Sequence, residues 1–254
     1  MINSDIKFKE VLEKMKNTKV TPNMIPKYKC EKCKDTEVIF YYKDGVEYGR
    51  DCECKEVKLS IRIMENSGLC EEDLKKTFND FETFGERDLV EAKQKVAKYI
   101  KNFNDIKSDR HNSFLLSGSS GRGKTTLGII IANNLLKQLI GVRYVSYRDE
   151  VTKLKQVITD EINYNDRMNR LKTAKVLFID DLFKGKLTES DISIMYEVIN
   201  YRYLNRLPMI ISTEMTPNQL IDLDEAVGGR ILEMCKGNAV VFTSATMNYR
   251  LRGI

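Results

Sequence analysis

The sequence predicts an α/β fold on a parallel five-stranded sheet, preceded by a small N-terminal module. Three observations carry that expectation. From about residue 77 to the end, helical and strand-like apolar patterns alternate. Gly118-Ser119-Ser120-Gly121-Arg122-Gly123-Lys124-Thr125 fits G-x-x-x-x-G-K-[ST], between an apolar run and a helical pattern. Cys30, Cys33, Cys52 and Cys54 cluster ahead of both.

In chain order, residues 4–17 place Phe8, Val11, Leu12 and Met15 at i, i+3, i+4, i+7, the pattern of an amphipathic helix. Thr21-Pro22 and Ile25-Pro26 end it. This apolar stripe either docks a partner or covers the protein's own cysteine module. Residues 28–55 hold Cys30-Glu31-Lys32-Cys33 and Cys52-Glu53-Cys54, with Val38–Tyr42 and a Gly45 turn between them, which reads as a hairpin. Four thiolates brought together by a hairpin suit tetrahedral Zn²⁺ in a zinc-ribbon-like arrangement. The site is structural, because no position is left for water. Free thiols or an iron–sulfur cluster are the alternatives. Cys70 and Cys235 stand alone and are expected to be packing residues, and His111 a surface residue.

A charged stretch over about 56–76 reads as a helix and then a linker, dividing the chain into 1–75 and 76–254. Strands follow near 113–117, 142–147, 175–180, 208–213 and 238–243. In such a sheet, ligands sit at the carboxyl ends of the strands. Leu127, Ile130, Ile131, Asn134 and Leu135 give the helix after the glycine-rich loop its inward face.

The chemistry gathers at those strand ends. Glycines let backbone N–H groups curl around phosphate oxygens, and a helix N-terminus adds partial positive charge. The stretch from Gly118 to Thr126 is therefore expected to hold ATP, with Lys124 on the β- and γ-phosphates and Thr125 on Mg²⁺. Val176-Leu177-Phe178-Ile179-Asp180-Asp181 is an apolar run ending in two acids, a Walker B pattern. Asp180 is assigned to Mg²⁺ and Asp181 to the attacking water. Pro208–Glu214 reads as the next strand, with Thr213 or Glu214 near the γ-phosphate. Arg230, after Gly228-Gly229, and Arg250 offer guanidinium groups that could stabilise transition-state charge.

Basic and aromatic side chains interleave at Arg143, Tyr144, Tyr147 and Arg148, with Lys184 and Lys186 in a loop after Walker B. Such a surface can stack bases and follow phosphates; the alternative is core tyrosines beside solvated charges. The net charge of +5 fits contact with a polyanion without requiring it. No membrane span and no secretory leader are expected, so the expected setting is a reducing cytoplasm.

GSSGRGKTT, VLFIDDLF, Asn200–Tyr203 leading into LPMIISTE, and DEAVGGRILEM together resemble the AAA+ family, and within it the DnaC/DnaI-type loaders of the replicative helicase. The resemblance covers about residues 77–254, and the cysteine cluster extends it. It implies an ATPase that binds single-stranded DNA and a DnaB-type replicative helicase through the N-terminal part. It further implies that Arg230 is an arginine finger acting on a neighbouring copy, so that activity needs self-association, and that Arg250 is sensor 2. The polar amide of that group's sensor strand is Glu214 here. A carboxylate repels a γ-phosphate, which leaves Thr213 for that work. An IstB-type transposition helper and a nucleotide-switched zinc-ribbon adaptor are the competing readings.

Overall fold

The computed structural model describes residues 30–242. The helix expected over 4–17 and Arg250 lie outside them. Backbone contacts divide the chain between Asn66 and Ser67.

In the first unit, β1 (Val38–Lys43) and β2 (Val46–Asp51) form an antiparallel hairpin, followed by helix α1 (Glu53–Glu65). The two turn residues, Asp44 and Gly45, have φ of 53° and 78°. Positive φ at both central positions is the type I′ arrangement, whose twist matches that of the strands. Cys52 is the N-cap of α1, so the C-x-C pair sits where strand passes into helix.

The second unit opens earlier than the 75/76 division expected from sequence. The Tyr144 N–H donates to Ser67 O at 2.6 Å, and Asn133 Nδ2 donates to Asp73 O and Lys76 O at 2.7 and 2.9 Å. These bonds pin helix α2 (Glu71–Lys75) to the body behind it. A single 3₁₀ turn, Phe78–Asp80, is closed by a capping box between Thr77 and Asp80. The remaining elements are α3 (Arg87–Ile106), β3 (Phe114–Gly118), α4 (Lys124–Lys137), β4 (Val142–Ser146), α5 (Tyr147–Gln156), α6 (Glu161–Thr173), β5 (Val176–Leu182), α7 (Glu189–Leu204), β6 (Met209–Thr213), α8 (Pro217–Leu223), α9 (Glu225–Met234) and β7 (Ala239–Phe242).

The five strands pair in parallel in the order β4-β5-β6-β3-β7. Strand β3, between β6 and β7 and fully buried, delivers the glycine-rich loop. Strand β6 separates it from β5, so a side chain at the end of β6 stands between the loop and the acid pair. Leu115, Ile179, Ile211 and Val198 belong to one apolar cluster that packs α5–α9 on the sheet. Gly228-Gly229 does not break the chain but lies within α9. A Cβ at Gly228 would come 2.5 Å from Leu220 O, so the missing side chain lets α9 approach α8.

A buried arginine joins two layers. Arg202, on α7, is fully buried, and its guanidinium donates to Leu171 O, Lys172 O, Ala174 O and Pro208 O at 2.6–3.0 Å. The first three carbonyls are the unsatisfied end of α6, where a cation is also favoured by the helix dipole. Burial pulls the guanidinium down to about 9. Among the described residues, no helix is long and apolar enough to cross a membrane.

Candidate nucleotide site and cysteine cluster

The glycine-rich loop turns where only glycine sits easily. Gly118 and Gly123 have φ of 126° and 76°, and added Cβ atoms would stand 2.5 Å from Phe242 O and 2.6 Å from the Phe81 ring. Gly123 is the left-handed N-cap of α4, so the first N–H groups of that helix, from Lys124 onward, face the loop. Lys124 is buried and donates to Gly118 O and Ser119 O at 2.7 and 2.8 Å. Burial pulls its pKa below the usual lysine range, while the carboxylates of Glu214 and Asp181 act against that shift. Ser119 is exposed, and Ser120, Gly121, Thr125 and Thr126 are half-buried. Arg122 turns away from the loop. Its side chain is buried, 3.4 Å from Glu86 and 3.8 Å from Asp88 at the start of α3. Only its backbone belongs to the loop's concave side.

Thr125 and Asp180 meet across the sheet, with Thr125 Oγ1 donating to Asp180 Oδ1 at 2.9 Å. Ser212 and Tyr144 also donate to Asp180, the latter at 3.3 Å. Desolvation raises the Asp180 pKa above the ordinary carboxylate range, and the hydroxyl donors partly offset that. The sequence reading singled out neither Ser212 for this site nor Tyr144 as a partner of Asp180. A serine inside the apolar run Met209–Thr213 was the available signal: on a buried strand a hydroxyl needs a partner.

Asp181 owes its position to a bulge. The β5–β6 register shifts between Ile179 and Leu182, and Asp181 has φ of 54°. Its N–H donates to Ser212 Oγ at 2.8 Å, leaving the carboxylate half-exposed. Lys184 reaches both Asp181 and Glu214, at 2.9 and 3.0 Å. Bonding to Asp181, then to Glu214, raises the Lys184 pKa. Glu214 is therefore neutralised within the chain. Thr213 is not positioned as expected. It is buried, donates to Leu182 O at 2.8 Å and accepts from Met215 N at 3.1 Å, so its hydroxyl serves the backbone.

Arg230 lies on α9 with its guanidinium 5.4 Å from the rings of Tyr196 and Tyr203, donating to Ala226 O at 2.8 Å. These partners are on its own helix and α7, not on the loop of the same chain. Of the basic–aromatic set, Tyr147 is corrected. It is 1% exposed and edge-on to Phe183, so it presents no face to a base. Burial pushes its pKa up to about 12. Arg143 has its Nε buried and without a hydrogen-bond partner among the described residues. Arg148 is exposed and donates to Lys186 O at 3.0 Å, which brings Arg148, Lys184 and Lys186 together beyond the end of β5.

The four N-terminal cysteines converge. Their sulfurs lie within 4.8 Å of one another, with Cys30–Cys52 at 3.7 Å and Cys33–Cys54 at 3.4 Å. Ligands about 2.3 Å from a central zinc would stand about 3.8 Å apart at tetrahedral corners, and a disulfide would need about 2.05 Å. The cluster therefore fits a zinc-ribbon-like module. The backbone N–H of Cys33, chiefly, holds the Cys30 thiol down to about 7, while desolvation and the surrounding sulfurs raise Cys54. Cys235 is buried as expected, but Cys70 is exposed and caps α2, accepting from Asp73 N at 3.4 Å. His111 lies at the surface, its Nδ1 bonded to Glu233 O.

Residues 60–252 match the model of the IstB-like ATP-binding protein family. Among curated proteins of Bacillus subtilis (strain 168), the uncharacterized protein YqaM is 37% identical over 80% of this chain and 67% of its own. The phage-like element PBSX protein XkdC is 35% identical over 90% and 88%. A crystal structure of the DnaC helicase loader superposes with a TM-score of 0.57 at 21% identity, over 68% of this chain and all of that one. The fold is thus the AAA+ P-loop fold, of the kind found in DnaC-type loaders. The loop at the end of β3, the Thr125–Asp180 pair and this sheet order have a common source: the chain belongs to the IstB-like ATP-binding protein family.

Proposed function

We propose that this protein is an ATP-dependent loader that binds a DnaB-type replicative helicase and delivers it to single-stranded DNA in the cytoplasm. The observation that carries the reading is a nucleotide site and a four-sulfur module on one chain whose ATPase body resembles a helicase loader. Lys124 and the N–H groups of Gly118–Thr126 would hold the ATP phosphates, and Thr125 and Asp180 would hold Mg²⁺. Bound Mg²⁺-ATP supplies a phosphoanhydride primed for attack by water. Asp181, aimed by its bulge, would orient that water. Arg230 would serve a neighbouring copy's site, which fits its contacts away from its own loop. Self-association would then complete the active state. Cys30, Cys33, Cys52 and Cys54 would hold Zn²⁺ in the first unit, residues 1–66, which would dock the helicase. Arg148, Lys184 and Lys186 would face DNA from the ATPase body, with Arg143 as a further candidate.

The family description favours a second reading, an IstB-type transposition helper. Size exclusion with light scattering separates the two, using the full chain mixed with the replicative helicase, with and without ATP. The loader reading expects a stoichiometric complex that is lost when residues 1–66, the whole of the first unit, are removed. Absence of a complex under both conditions supports the transposition helper.

A further inference from the structure

The β1–β2 hairpin presents two faces of different character. Cross-strand partners share a face, so Val38/Asp51, Phe40/Gly49 and Tyr42/Glu47 lie on one side, and Ile39/Arg50, Tyr41/Tyr48 and Lys43/Val46 on the other. The first face carries two acids and no base. The second carries two bases and no acid. At its centre Tyr41 and Tyr48, each 44% exposed, lie 5.7 Å apart with an interplanar angle of 22°. Two near-parallel phenol rings stacked across an open ribbon form an aromatic pair exposed to water. Lys43 and Arg50 bracket it, about 14 Å apart along the strands at about 3.4 Å per residue. Neither cation has an ion-pair partner among the described residues. The carboxylate at the base of the hairpin, Asp51, is on the opposite face and is already paired with Lys55 at 2.9 Å.

We propose that this face binds single-stranded nucleic acid, with bases stacking on Tyr41 and Tyr48 and phosphates held by Lys43 and Arg50. A stacking platform flanked by unpaired cations is what a single strand requires of a surface, and the recognition is tolerant of sequence. An acidic segment of a protein could use the cations, but it would make no use of a stacked ring pair. The site lies outside the ATPase body and does not depend on nucleotide, so it stands apart from the DNA surface assigned to Arg148, Lys184 and Lys186.

The test uses full-length protein and a dye-labelled oligothymidine, read by fluorescence anisotropy without nucleotide. Tyr41→Ala with Tyr48→Ala should weaken binding about tenfold or more. Lys43→Gln with Arg50→Gln should weaken it and reduce the slope of log affinity against log salt by about 1.4. The opposite-face variant Tyr42→Ala should bind as the native chain does. Photocrosslinking with an iodouracil-containing strand should label Tyr41 or Tyr48, and Lys124→Ala should leave the labelling intact. Metal content of each variant, measured in parallel, shows that the module has folded. The proposal is overturned if the double tyrosine variant keeps its affinity, if Tyr42→Ala loses as much, or if crosslinks fall only beyond residue 66. It is equally overturned if the tyrosine variant keeps the oligonucleotide but loses the helicase, which would make this face a protein-docking surface.

Discussion

The two units satisfy their polar groups in opposite ways. In the second unit, the buried charges of Asp180 and Arg202 find partners inside the chain. Asp180 accepts from three hydroxyls, and Arg202 gives its protons to four carbonyls. In the N-terminal unit, four sulfurs face one another within 4.8 Å, while both hairpin strands are largely exposed. One unit is held by its own core. On the reading proposed above, the other depends on an ion supplied from outside.

Metal removal should show the largest difference. Structural zinc in small modules contributes about 10–16 kcal/mol of apparent binding energy at neutral pH, and that energy is folding energy. A strong chelator should therefore open residues 30–66 to protease while residues 67–242 stay resistant and keep ATP. Mass spectrometry of the digest reads both outcomes at once. Resistance of both units after complete zinc loss would show that the hairpin and α1 hold without the ion.

Arg202→Met asks the converse question of the ATPase body. It leaves the end of α6 and Pro208 O without their donor, in a place water does not reach, and should destabilise that unit by roughly 3–5 kcal/mol. The expected sign is a large fall in its thermal midpoint with the zinc content unchanged. A shift of less than a degree or two would mean that the carbonyls find other partners.

These two regions also differ in how far they could be read from sequence. The glycine-rich loop, the Walker B run and the two cysteine pairs are short local patterns, so each could be read before its partners were known. All five strands of the parallel sheet were legible from the alternating pattern. What escaped depends on neighbours far along the chain. Ser212 matters because β6 lies between β3 and β5, which spacing does not reveal. Thr213 looked free at a strand end, but the bulge at Asp181 places Leu182 O against it. Tyr147 looked like part of a basic–aromatic surface, but α5 turns it onto Phe183. Arg202 sat in a stretch used for the resemblance, and nothing local distinguishes a buried arginine from a solvated one. The unit boundary moved to Ser67 because Asn133, sixty residues beyond Asp73, reaches back to it.

Between the self-satisfied core and the ion-dependent module stands a half-exposed case, Lys184 with Asp181 and Glu214. Here the chain supplies its own counter-ion at the edge of the nucleotide site, where a second anion is expected to arrive. Lys184→Ala leaves two carboxylates unneutralised beside the loop. Charges a few ångströms apart near a surface interact by about 1–4 kcal/mol before screening. Partial exposure and salt reduce this, so a loss of about three- to tenfold in ATP affinity is expected. ADP, with no γ-phosphate, should lose less. The decisive comparison is a double-mutant cycle. If Lys184 acts by cancelling Glu214, then Glu214→Gln should recover most of the ATP affinity in the Lys184→Ala background and add little alone. Calorimetric titration of all four proteins measures this without relying on turnover. Strictly additive effects would mean that Lys184 meets the phosphate directly, making the edge of this site an extension of the phosphate-binding loop and not a pair neutralised by the fold.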